Sequence, residues 1–151
     1  MTISTLDHYL PKANHPQLAL TPANLVPSCS DCNKWKSTKQ GETAADEILH
    51  PYFDHVDDET WLFAEVVPGD PPGMTFYARP PDHWAETTKL RVLSHFDALH
   101  LNELFASQGG RLISNIRSRM VDLFRDDGPS GVREHLKAEA RSHRKNSKNS
   151  W

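Results

Sequence analysis

The chain has 151 residues, a formal charge of −3 and 37% hydrophobic residues, with a mean hydropathy of −0.63. These values bound it to one modest domain, or a small motif domain with an appended helical part, and argue against a strongly basic nucleic-acid binder. No apolar run approaches membrane-spanning length and the N-terminus lacks a signal-peptide core, so the expectation is a cytoplasmic protein with no membrane partner.

In chain order, Thr2 to Leu6 favours extended structure and reads as a first strand, followed directly by Asp7-His8. Neighbouring residues on a regular strand point to opposite faces, so Asp7 and His8 can converge on one point only if the strand gives way to a loop there. Lys12 to Ala23, rich in Pro, Asn and polar residues, predicts an irregular loop. Asn24-Leu25-Val26-Pro27 predicts a short second strand. A helix follows from Ser30 or Asp31, both good N-cap types, presenting Asn33 early and running through Lys34, Trp35, Lys36 and Lys39.

Taken together, Asp7-His8, Asn24 and Cys29-Ser30-Asp31-Cys32-Asn33 resemble the HNH nucleases, the ββα-metal family, in a form whose last motif residue is Asn. Singly, each element has an ordinary structural reading; the order and spacing of the set carry the resemblance. The family likeness implies a metal-dependent endonuclease hydrolysing phosphodiester bonds, with DNA as the substrate. It gives His8 the role of general base and Asn24 that of bracing the loop through backbone hydrogen bonds. Asp7 and Asn33 offer oxygen donors suited to Mg²⁺ or Mn²⁺, hard ions that take few protein ligands. An imidazole titrates close enough to neutrality to accept a proton. Lys12, Lys34 and Lys36 are the candidate phosphate contacts.

Both cysteines lie in the one CxxC, Cys29 and Cys32. A structural zinc needs four ligands, typically from two such pairs. Many HNH proteins carry the second pair upstream of the Asp-His, and here no Cys precedes Asp7. Three explanations stand: an N-terminally truncated chain, a zinc completed by His15, His50 or His55, or two reduced thiols that only pack. Truncation or a zinc-free site is preferred, and a monomer is not expected to hold a full structural zinc.

Next, His50-Pro51-Tyr52-Phe53-Asp54 is similar to a segment that follows the HNH core in some stand-alone bacterial members, including ones related to anti-phage defence. Its expected role is an aromatic clasp, with His55 on the surface. Trp61–Val67 and Thr75–Arg79 flank the turn-rich Pro68-Gly69-Asp70-Pro71-Pro72-Gly73 and predict a β-hairpin. From Trp84 the chain reads as helical. Leu112, Ile113, Ile116, Met120, Leu123 and Phe124 share one face and are expected in the core, with Asn102 as a cap and a break at Gly109-Gly110. Pro129 opens a last helix bearing Val132, Leu136 and Ala140. The basic residues from Arg133 to Lys148 read as a solvated terminus slightly ahead of a DNA contact.

The resulting expectation is an α+β protein. Residues 1–60 form the HNH-like motif domain, 61–80 a hairpin, 81–145 a helical region and 146–151 a disordered tail. The alternative function is a non-catalytic or truncated HNH module that binds nucleic acid or serves as a subunit of a defence complex beside an ATPase.

Overall fold

A computed structural model describes residues 3–146. The architecture is α+β, with two small antiparallel sheets, a short helix in the first third and two longer helices at the end. The first sheet pairs β1 (Thr5–His8) with β2 (Leu25–Ser28), and α1 (Ser30–Lys36) follows at once. The second pairs β3 (Leu62–Val67) with β4 (Gly73–Ala78). Then come α2 (Glu86–Ala98) and α3 (Leu101–Asn146). Among the described residues no helix is long and apolar enough to cross a membrane.

The first strand differs from the Thr2–Leu6 expectation; Thr2 itself lies outside the described residues. Pairing sets Asp7 opposite Val26 and His8 opposite Leu25, so the Asp-His pair forms the last two residues of the strand. The reason is the ladder beyond it, where the Tyr9 N–H donates to the Asn24 carbonyl at 2.9 Å and holds the chain extended past His8. The helix also starts differently. Its N-cap is Cys29, whose Sγ accepts from the Cys32 N–H, and Ser30 is the first helical residue. It stops at Lys36, short of Lys39, because Ser37 takes a left-handed φ of 48° and closes the turn on the Asn33 carbonyl.

The core is small and sits where α2, the first turns of α3 and the loop segment around Leu49 and Val56 meet Trp61. Val92 is fully buried, and Phe96, Leu99, Leu101 and Leu104 surround it, with Cys29 at the edge toward α1. The hairpin docks on α3. Asn102, expected as a helix cap, lies inside α3 and accepts the Phe76 N–H at 2.8 Å, satisfying the free edge of β4. Gly109-Gly110 causes no break. At Gly109 the helix approaches the hairpin so closely that a Cβ would lie 2.7 Å from the Met74 sulfur. The interruption falls at Gly128, with φ 65° and ψ −162°, and Pro129 opens the segment after it.

The apolar stripe of α3 is not part of the buried core: Ile113, Ile116, Met120 and Leu123 are half-buried. Leu112 is 56% and Phe124 59% exposed, and Leu136 also faces solvent. The stripe runs past the end of the hairpin that the helix packs on. Of the tail expected at 146–151, Asn146 closes α3, and 147–151 lie outside the described residues.

Candidate nuclease site

The site is built from β1, the loop after it, β2 and α1. Asn24 is buried at the end of a 3-10 turn, Pro22–Asn24. Its Oδ1 accepts the Leu10 N–H at 2.7 Å, and its Nδ2 donates to the carbonyls of Leu10 at 3.1 Å and Leu18 at 3.2 Å. One side chain thus ties the residues after β1 to those before β2. The loop turns back on itself by backbone bonds, including Asn14 and His15 N–H to the Pro11 carbonyl. The result is that the Ala19 carbonyl comes to the His8 ring, 3.0 Å from Nε2. A carbonyl can only accept, so Nε2 carries a proton, and in the neutral ring the lone pair is on Nδ1.

The residues Thr5 and Asp7 are two apart on β1 and share a face. Across from them Asn33 and Lys36 are three apart on α1 and share a face. The two faces meet. Asn33 Nδ2 donates to Thr5 Oγ1 at 3.3 Å, and Lys36 Nζ lies 3.2 Å from Asp7 Oδ2. Asp7 and Asn33 are therefore brought to one strand–helix interface, while His8 turns its ring to the loop at Ala19.

Lys36 is the main correction at this site. It is 4% exposed and also donates to the His8 carbonyl, so it is an internal ammonium and not a phosphate contact. The signal was present in the sequence, since Lys36 follows Asn33 by three residues, but a basic cluster reads as surface by default. Lys12 and Lys34 are exposed. Thr5, which holds Asn33, was also missed.

The cysteines are free, Cys29 buried and Cys32 half-buried. Burial, reinforced by the hydrogen bond with Cys29, pushes the Cys32 thiol up to about 12. Zinc would need both as thiolates plus two more ligands. The candidate histidines do not supply them. His15 Nε2 bonds Gln40 at 3.0 Å and His50 Nε2 bonds the Ala23 carbonyl at 3.0 Å. His55 is exposed. Among the described residues no group of three or more His, Cys, Asp or Glu is placed to hold a metal. These residues do not fit a structural zinc, and the pair acts here as a helix cap packed on the core.

His50 is instead the centre of the clasp. Its ring packs 4.3 Å from Tyr9 and 4.5 Å from Phe53. Asp54 accepts the His50 N–H at 2.6 Å and pairs with Arg91 of α2 at 2.5 Å. Arg91 also donates to the Ile48 carbonyl at 3.1 Å, and the Tyr9 hydroxyl donates there at 2.7 Å. Burial pushes the Tyr9 phenol up, which keeps it a donor. Through this network α2 holds the residue next to His8.

No protein-family model matches the chain, and no solved structure matches it significantly. Among curated proteins it is similar to Protein ea31 of Escherichia phage lambda, 33% identical over 142 residues, covering 89% of this chain and 47% of the relative. The chain thus spans about half the length of the curated relative it matches.

Proposed function

We propose that the chain is a nuclease of the HNH type that hydrolyses phosphodiester bonds in DNA with Mg²⁺ or Mn²⁺. The observation that supports this reading most is the Asn24-braced loop, which fixes a protonated Nε2 on His8 against the Ala19 carbonyl. Nδ1 is then the atom that takes the proton from the attacking water.

On this reading the oxygen donors for a hard cation come from Asp7 and Asn33. Lys36 occupies one carboxylate oxygen of Asp7, Oδ2, which leaves Oδ1. Asn33 uses its amide nitrogen on Thr5, which leaves its amide oxygen. Asp7 and Asn33 would hold the ion, with its other positions left to water and substrate phosphate. When bound, it supplies charge stabilisation at the phosphate and the leaving oxygen. Lys12 and Lys34 remain open to solvent, where they can meet further phosphates.

One observation favours the second reading, a non-catalytic module that binds nucleic acid or a partner such as an ATPase of a defence complex. The Lys36 ammonium already balances the Asp7 charge that would attract a cation. A metal series separates the two. Nicking of supercoiled plasmid that is strongest with Mg²⁺ or Mn²⁺, weak with Zn²⁺ and absent with EDTA supports the enzyme. Plasmid retardation without nicking under every metal supports the module.

A further inference from the structure

The hairpin leaves one edge of its sheet open. The Arg79 N–H donates to the Trp61 carbonyl at 2.7 Å, so Trp61 and Arg79 are a hydrogen-bonded pair of the antiparallel ladder. Such pairs alternate along a ladder. Phe63 and Glu65 therefore bond across to Tyr77 and Thr75, while Leu62, Ala64 and Val66 aim both backbone groups away from β4. The same alternation turns the Phe76 N–H outward on β4, where Asn102 of α3 accepts it. The close approaches of α3 are to that strand, Gly109 meeting Met74 and Phe105 meeting Phe76. The β4 edge is thus closed. On β3, Ala64 and Glu65 are exposed, and Val66 is 64% and Val67 46% exposed. Among the described residues no other backbone group bonds to the outward side of Leu62, Ala64 or Val66. Nor does the strand carry a proline, lysine or bulge, the usual devices that blunt an edge.

We infer that β3 is a self-association edge, on which two copies pair antiparallel about a two-fold axis at Ala64 and join their hairpins into one sheet. The backbone restricts the register, because outward groups must meet outward groups. With the axis at Ala64, Leu62 exchanges bonds with the partner's Val66, and Ala64 does so with its own copy. An axis at Glu65 would set two carboxylates directly opposite each other. An axis at Phe63 would set Val66 against the partner's Thr60, which lies outside the strand. Charge argues for a second copy as the occupant. The Arg79 guanidinium lies over Phe63, 4.6 Å from the ring centroid, and makes no ion pair among the described residues. Glu65 uses one carboxylate oxygen on the Tyr77 hydroxyl at 3.0 Å, which leaves the other open. At the Ala64 register the partner's Glu65 falls directly opposite Phe63, on the face that carries Arg79. Each Arg79 then gains a carboxylate, twice by symmetry. The paired segment is short, so the dimer is a weak one, with Kd on the order of 10–100 µM. This inference does not depend on the nuclease reading.

Sedimentation velocity of the full chain from about 1 µM to 1 mM, a range that brackets an interface of this strength, tests it. The expected result is a concentration-dependent monomer–dimer equilibrium. Ala64→Pro removes the central edge donor and none of the bonds between β3 and β4, so it should leave a monomer whose circular dichroism is unchanged. Glu65→Arg and Arg79→Glu should each weaken self-association about tenfold. Mixed together, these two variants should associate again. The Arg79 kept in one then meets the Glu65 kept in the other, and the introduced guanidinium meets the introduced carboxylate; a folding defect could not produce that rescue. A native chain monomeric throughout overturns the proposal and gives the edge to another strand. Dimers that survive Ala64→Pro, or charge variants that fail to associate on mixing, overturn it as well.

Discussion

At the scale of single residues, Lys36 decides how the site is held. Its ammonium is buried between the Asp7 carboxylate and the His8 carbonyl, so it neutralises the carboxylate and pins the end of β1 at once. Removing one partner of a buried pair leaves the other charge uncompensated, at a cost of about 3 kcal/mol. Lys36→Ala should therefore lower the unfolding midpoint by roughly 6–12 °C, at about 2–4 °C per kcal/mol for a chain of this size. A Lys12→Ala variant should leave the midpoint within about 1 °C, since exposed charges contribute little. Equal midpoints for the two variants in a thermal melt would return Lys36 to the surface. Asn24 was legible only through the resemblance of the whole set of motif residues, since by itself an Asn ahead of a short strand reads as an ordinary turn residue. The inward turn of Lys36 was not, because it depends on where β1 lies against α1 and not on any local pattern.

At the scale of elements, two features of the helices carry predictions. His95 on α2 is half-buried, and its Nδ1 accepts the Leu49 N–H at 3.2 Å. Burial lowers its pKa from 6.5 to about 4, against a smaller opposing pull from Asp54. The folded state thus binds fewer protons than the unfolded chain between those values. Stability is full above pH 6.5 and falls as the pH drops toward 4, by up to about 3 kcal/mol. His95→Gln, which can still accept from Leu49, should flatten that part of the profile; chemical denaturation at about pH 7 and about pH 5, on either side of the ordinary histidine value, measures it. An unchanged slope would show that His95 is not the titrating group.

The paired glycines of α3 give opposite expectations. Gly110 has open space where a Cβ would be, and Gly110→Ala should stabilise by up to about 1 kcal/mol through helix propensity. Gly109 touches Met74, and Gly109→Val should destabilise by about 1–3 kcal/mol through overpacking. Equal effects at both positions in urea melts would contradict the close approach of α3 to the hairpin. From sequence, a glycine pair in a helix reads as a break. Contact with a distant strand is invisible there, and so is the role of Asn102 at the β4 edge. The hairpin itself was legible, because its turn chemistry is local and its strands are rich in aromatic and β-branched residues.

At the scale of the molecule, the α+β order follows from local signals, whereas the division between core and surface does not. Periodicity shows that α3 has an apolar face, but not which turns have something to pack against. The core that results is compact around Val92, and the motif sheet joins it through Cys29, Trp35 and the His50–Asp54–Arg91 network. That arrangement sets the proposed nuclease elements on the molecule's own scaffold without calling on a metal at Cys29 and Cys32. The central claim is that His8, held by Ala19 and Asn24, is a general base. The direct measurement is nicking of supercoiled plasmid in Mg²⁺ or Mn²⁺ by the native chain and by His8→Ala, with circular dichroism of both. The account predicts metal-dependent nicking by the native protein and a loss of about 10²–10⁴-fold in the variant at unchanged fold. Nicking by a folded His8→Ala variant at the native rate would contradict it.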